Sequence, residues 1–336
     1  YETSQGRDWH PGNEIRRRVR NENKERDAAE NHSLKQWGGN RNTYLEKAVA
    51  MENIDEESKT DIDEMAQLHA EVRRSPQLQQ REQLFDLWTA AFFWPMDQDT
   101  AEYPTPKSIE KIRRNPNPND ENLQELLSTS SELANYYSFF HWETEFPVVF
   151  EQKNGFDCVL TNPPWEKIKA QPKEWFSGKN DEIANASKRK RTRLIRDLKD
   201  SNPDLYRDWN TVKQDSERTA RFTQESGKFE RSAVGDLNTY PVFSELVAYH
   251  ITNSTGRAGV ILKTGIATDR DNERIFGSLV DDKLIHSFHD FRNSERLFPD
   301  VHQNERFCLL TLSWAQSDQN ITFSFLNTNI DELNDE

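Results

Sequence analysis

This 336-residue sequence predicts an α/β fold, a buried sheet interrupted by large helical insertions. Three observations predict it. Phe156-Asp157-Cys158-Val159-Leu160 is a short apolar run without polar alternation, the pattern of a strand covered on both faces in a parallel sheet. Similar runs follow at Val260-Ile261-Leu262, Leu284–Phe291 and Phe307–Leu312, with helical patterns between them and a weaker edge strand at Ile321–Phe325. Two long stretches of helical spacing, 42–91 and 166–234, lie outside that alternation and read as insertions.

Residues 1–40 are polar, rich in Arg, Asn and Glu, and carry little periodicity. From Asn42 the apolar positions Ile62, Met65 and Leu68, then Leu84, Phe85, Leu87 and Trp88, fall at helical spacing. Ser75-Pro76 divides them into two helices, because proline restricts the residue before it and lacks an amide donor. Phe92-Phe93-Trp94 extends the second helix into an aromatic knot, read as core packing. Residues 95–120, rich in Pro and Asn, read as loop, and a helix is expected over about 122–135. Beyond the 156–160 strand, an amphipathic helix is expected from Gly235 to Ile251 and another over Asn272–Val280. Three regions follow: a mainly helical one over 1–138, a sheet-bearing one over 139–315 with 166–234 inserted, and a further segment beginning at 316.

Composition narrows the classes. The hydrophobic fraction is 34%, against the ~45% usual for globular chains. Long solvated helices account for that, as do segments that order against a partner. The net charge of -14 argues against a uniformly basic nucleic-acid binder, but distribution matters more than the sum. Lys188-Arg189-Lys190-Arg191, Arg193 and Arg196 form a basic cluster, either a solvated helix face or a phosphate contact. Cys158 and Cys308 lie in strand-like runs without CxxC or His-rich spacing. No metal site is therefore expected, and a reducing cytoplasm is the expected location. No apolar run approaches the ~20 residues of a membrane span. A start at Tyr1 suits a fragment or a processed chain.

The residues that carry chemistry stand where the first strand ends, at Asn162-Pro163-Pro164-Trp165. In open α/β sheets that is where ligands bind. Two prolines fix the backbone and remove two donors, so the loop offers carbonyl oxygens, and the Asn amide oxygen adds an acceptor. With an aromatic ring close by, the set suits an exocyclic amino group on a planar base. Such an amine is a poor nucleophile while its lone pair is delocalised. Acceptors set out of the base plane localise the pair, so positioning and fixed dipoles supply the catalysis.

The stretch FHWETEFPVVF…NGFDCVLTNPPWEKIK resembles the large adenine-N6 DNA methyltransferases of restriction–modification and phage-defence systems. So do Asn238-Thr239-Tyr240-Pro241-Val242-Phe243-Ser244-Glu245, the turn and strand Gly256–Leu262, and Leu297-Phe298-Pro299 ahead of Phe307–Leu310. The resemblance covers about half of the chain. It implies a Rossmann-like sheet binding S-adenosylmethionine, and double-stranded DNA as substrate with the target adenine flipped out of the stack. Asn162 and the Pro163 carbonyl would accept the amino protons, with Pro164 holding the turn. Trp165 would stack on one face of the base and Phe298 on the other. Phe243 would pack near the cofactor's adenine, and Asp157 is a further cofactor-side candidate, or a structural cap at its strand.

Trp165 stands where Tyr or Phe is more usual, and the Gly-rich cofactor loop that the family carries upstream has no counterpart in residues 1–150. The remainder of a parent polypeptide is therefore expected to supply the S-adenosylmethionine loop, and restriction or defence subunits are possible further partners. Other readings stay open. Methyltransferases of protein glutamine, an RNA base or cytosine N4 use related loops, the last commonly with Ser at the position of Asn162. A non-catalytic DNA-binding scaffold is the alternative from outside enzymology. No PD…ExK nuclease arrangement is present.

Overall fold

The computed structural model describes residues 42–55, 57–95, 103–314 and 320–333. The reading of 1–40 as irregular lies outside them. The chain divides between Gln152 and Lys153 into two compact units.

The first unit is helical: α1 (Asn42–Glu52), α2 (Lys59–Arg73), α3 (Pro76–Phe93), α4 (Pro106–Arg114), α5 (Glu121–Tyr137), α6 (Trp142–Glu145) and α7 (Pro147–Gln152). Pro76 opens α3 at a position where its missing amide costs nothing. The single helix expected before it is two, because Ser58 caps α2 by accepting from Asp61 N while the Asp61 carboxylate accepts from Ser58 N. Residues 106–114, expected as loop, form α4. Thr105 and Ser108 cap it reciprocally, and Ile109 and Ile112 bury against Leu84, Leu87 and Leu126.

The second unit holds β1 (Phe156–Thr161), the helices α8 (Pro172–Phe176), α9 (Asp181–Asn185), α10 (Lys188–Ser201), α11 (Pro203–Glu225) and α12 (Thr239–Leu246), then β2 (Thr252–Lys263), α13 (Gly265–Thr268), α14 (Glu273–Asp281), β3 (Ile285–Arg292), β4 (Arg306–Ser313) and β5 (Thr322–Asn327). The five strands form one mixed sheet in the order β1-β2-β4-β3-β5. β1 runs parallel to β2, with Thr161 beside Val260. β4 is antiparallel to both β2 and β3, and β5 is parallel to β3. Alternate residues Ala258, Val260 and Leu262 share one buried face with Phe288, Cys308, Leu310 and Leu312. Burial pushes the Cys308 thiol well above its usual range.

The fold class is the expected one, and the sheet departs from expectation in two respects. It is mixed rather than parallel. Among the described residues β1 stands at an edge instead of being covered on both faces: Cys158 is exposed and Leu160 is 80% exposed. An apolar run looks the same whether a strand is flanked on two sides or on one, so the sequence could not separate these cases. Gly155 brings β1 against the start of β2. Its φ is +137°, and a Cβ there would lie 2.6 Å from the Ile251 carbonyl oxygen. The helix expected over 235–251 begins only at Thr239 and ends in a π turn at Val247–Ile251. Residues 166–234 carry four helices around their own small core of Phe176, Ile183, Leu198 and Trp209.

Candidate active site

β1 delivers Asn162-Pro163-Pro164-Trp165 to the carboxyl end of the parallel β1–β2 pair. Asn162 is exposed, and among the described residues its side chain has no hydrogen-bond partner. Pro163 is buried and Pro164 exposed. Beyond them the chain is stitched to the start of α12. The Thr239 hydroxyl donates to the Pro164 carbonyl at 2.5 Å and accepts from Glu166 N at 2.9 Å, while Thr239 N donates to the Glu166 carbonyl at 2.9 Å. Ile168 N donates to the Leu237 carbonyl, and Lys167 bridges to Asn238. One carbonyl of the proline pair is thus consumed within the fold, while none of the loop's hydrogen bonds takes the Pro163 carbonyl.

Trp165 is half-buried, and its ring meets Phe298 edge-to-face, centroids 6.4 Å apart at 71°. The two rings do not form an open slot, so a base entering between them must part them. Behind Phe298 lies Phe307, at 4.9 Å. The 293–301 turn is held by the fully buried Asn293, whose amide oxygen accepts from Phe298 N and whose amide nitrogen donates to the Phe298 and Val301 carbonyls. Lys263, at the end of β2, places its ammonium 5.9 Å from the Trp165 centroid. The indole Nε1 is buried without a partner among the described residues.

The structure therefore brings Trp165 together with Phe298, which the sequence separates by more than a hundred residues. Asp157 and Phe243 are placed differently. Asp157 sits five residues before Asn162, about 16 Å away along an extended strand. Its carboxylate accepts from Lys153 Nζ and Asn253 Nδ2, both at 2.7 Å, and these bonds hold it below the usual carboxylate range. Phe243 is half-buried on α12. Neither belongs to a closed cradle: the neighbouring strand edge at Cys158 and Leu160 is open. The described residues do not by themselves fit a nucleoside-sized methyl donor.

Several residues have roles that the sequence reading did not assign, though Thr239, Tyr240 and Glu245 stood in the phrase Asn238–Glu245. Thr239, the stitch, is one. Tyr240 is another: its buried hydroxyl accepts from Asn272 Nδ2 at 2.8 Å and lies 3.5 Å from the Asp269 carboxylate. Burial pushes its phenol up to about 12, opposed by the Asn272 hydrogen bond and reinforced by the Asp269 carboxylate. Glu245 is fully buried and accepts from Ser232 N, Ser232 Oγ and Arg231 N, pinning the turn that ends the helical insertion. Asp290, also fully buried, accepts from Thr264 Oγ1, Arg306 and Leu326 N, tying the end of β2 to β3, β4 and β5. Tyr240, Asn272 and Glu245 lie on helical segments with no local signal for such pairings.

Residues 28–196 match the family model described as Eco57I restriction-modification methylase, a span of half the chain that includes the whole Asn162–Trp165 loop. The chain belongs to the Eco57I restriction-modification methylase family. Membership gives it the coarse function, DNA methylation in restriction–modification, and agrees with the mixed α/β sheet. Neither the curated proteins nor the solved structures gave a match. Phe243 and Phe298 lie beyond the matched span, so the family match bears on the loop and not on them. Among the described residues no group of three or more His, Cys, Asp or Glu is arranged to hold a metal ion, and no helix is long and apolar enough to cross a membrane.

Proposed function

We propose that this methylase chain carries the target-base half of an adenine-N6 DNA methyltransferase, drawing its methyl group from S-adenosylmethionine, in restriction–modification or phage defence. The observation that carries this reading is the division of acceptors at the end of β1. Thr239 occupies the Pro164 carbonyl, whereas the Asn162 amide is left free and exposed beside the Pro163 carbonyl. Two adjacent acceptors match the two N–H bonds of an adenine amino group, and a flipped base would part Trp165 from Phe298 and stack on them. S-adenosylmethionine, when bound, supplies a methyl group on a sulfonium, an electrophile that needs no metal activation.

The chain's own residues then do the positioning. Asn162 and the Pro163 carbonyl draw the amino protons out of the base plane, so the nitrogen lone pair localises for attack. Once the nitrogen carries the methyl group it sheds one proton to solvent, which is why no titrating base is required in the loop. Phe243 and Asp157, the cofactor-side candidates of the sequence, form no cradle here, so the methyl donor would need a further part of a longer polypeptide, for which the open edge of β1 offers a place. That open edge favours one second reading, in which the chain alone is an inert DNA-binding scaffold until its missing half docks.

The test is mass spectrometry of nucleosides from unmethylated DNA incubated with S-adenosylmethionine and the longest polypeptide containing the chain. N6-methyladenine is expected from the intact protein, with Asn162→Ala lowering its formation about a hundredfold or more. Unmodified DNA in the presence of protein that binds the cofactor refutes the proposal.

A further inference from the structure

The basic cluster left open by the sequence has a definite geometry. α10 turns Leu194, Ile195 and Leu198 toward Phe176, Ile183 and Trp209, with Leu198 buried. Arg191, on the same side, spends its guanidinium on the carbonyls of Ile183, Ala184 and Ala186 at 2.9, 2.9 and 2.6 Å. The helix is thus clamped on one side. At 100° per residue, Arg189, Arg193 and Arg196 fall in one stripe on the opposite side, and all three are exposed.

That stripe is only weakly neutralised. Lys190 pairs with Glu182 at 3.0 Å, and Arg196 has only Asp197 at 3.7 Å. Among the described residues, no carboxylate pairs with Arg189 or Arg193. The first turn of α10 carries Lys188, Arg189 and Lys190 and no acid, although the helix dipole disfavours cations there. The preceding α9 has Asp181 and Glu182 in its first turn, and α11 has Asp204. Over 166–196, the segment that leaves the Asn162–Trp165 loop, ten Lys and Arg stand against four Asp and Glu, in a chain of net charge -14.

We propose that the Arg189–Arg193–Arg196 stripe of α10 is a docking surface for the sugar–phosphate backbone of duplex DNA. This inference rests on the DNA-methylation reading and names the surface that would hold the duplex while the loop takes a base. The stripe is about 10 Å long, a length over which duplex DNA presents roughly six phosphate charges. Guanidinium groups suit phosphate oxygens because their donors form a rigid planar fork. The buried face and the Arg191 clamp fix the stripe to its subdomain, so docking needs little ordering of the helix.

The experiment is fluorescence anisotropy of the full 336-residue chain with a labelled duplex of about 30 base pairs, titrated at several salt concentrations. It compares the natural chain with the triple variant Arg189→Gln, Arg193→Gln, Arg196→Gln. A charge-matched control carries Lys59→Gln, Lys107→Gln and Lys111→Gln, and circular dichroism checks that all are folded. Three lost phosphate contacts are expected to weaken binding by tenfold or more near physiological salt, and to flatten the log–log salt slope by about 2.7, at roughly 0.9 per contact. The control is expected to leave the slope within about one unit.

Equal changes in both variants, no change in the triple variant, or no duplex binding by the natural chain would each overturn the proposal. The methylation assay fails separately. Methylation with the stripe irrelevant to binding rejects the stripe alone, and a stripe-dependent affinity without methylation rejects the adenine reading alone.

Discussion

Replacing Thr239 with Val removes a hydroxyl and keeps the shape of the side chain. In the fold that hydroxyl donates to the Pro164 carbonyl at 2.5 Å and accepts from Glu166 N at 2.9 Å, so two hydrogen bonds are lost. Each such bond is worth about 1 kcal/mol net, and water can reach the exposed loop to replace part of it, leaving a cost of about 1–2 kcal/mol. The cost falls on the arrangement that frees the Pro163 carbonyl and spends the Pro164 one. Every 1.4 kcal/mol is tenfold in a population, so the competent loop should be depleted, and kcat/KM for DNA methylation lowered, about 5- to 30-fold. Denaturant unfolding of the chain should move by no more than about 2 kcal/mol, since the backbone bonds of Thr239 N and Ile168 N persist. The assay is N6-methyladenine formation with time, run beside urea melts of the same preparations. A folded Thr239→Val protein that methylates within twofold of the natural rate would refute the argument that α12 holds the loop.

Trp165→Phe keeps a stacking ring and removes the buried, unpartnered indole nitrogen, so methylation should stay within about fivefold. Trp165→Ala should lose about 1–3 kcal/mol of stacking, seen as a drop of roughly 5- to 150-fold, and equal rates for the two variants would sink the stacking role. Glu245→Gln replaces one acceptor by a donor facing Ser232 N, Ser232 Oγ and Arg231 N, and should lower stability by about 2 kcal/mol in urea. An unchanged urea midpoint would mean that the turn at 231–232 does not need the carboxylate.

Tyr240 gives a pH prediction. Its folded-state phenol is pushed up to about 12, above the ~10 of an unfolded chain, so its contribution is complete below pH ~10. It is lost as pH rises from there toward about 12, by up to roughly 2–3 kcal/mol. Tyr249, raised mainly by burial as well, acts in the same direction, so the readout is the difference from Tyr240→Phe, which should lose stability less steeply in alkali.

How much of this was legible follows the range of each interaction. β1, the loop after it, and the later strands announce themselves locally, by apolar runs and by two consecutive prolines. The start of α2 had a local signal too, in Ser58 and Asp61, and so did α4, in Thr105-Pro106 followed by Ser108. Proline- and asparagine-rich flanks hid α4, although Pro106 stands at the one helical position where proline is favoured. The stitch from Thr239 to Pro164 spans 75 residues and a four-helix insertion, and nothing in either segment names the other. The start of α12 was misplaced for the same reason: Leu237 and Asn238 are drawn into pairing with 167–168 and cannot enter the helix. The pairing of Trp165 with Phe298 came from resemblance and not from periodicity.

The open edge of β1 and the stitched loop bear on each other. Parallel strands are rarely left half-covered, so an exposed Leu160 on an edge strand asks for a neighbour. Had the base-facing loop been built by that neighbour, this chain would hold a loose Asn-Pro-Pro segment. It does not: the loop is fixed from the other side, by Thr239 at the start of α12 and by pairing with 237–238. The backbone that follows Asn162 is therefore held by this chain itself, at Pro164, Glu166 and Ile168.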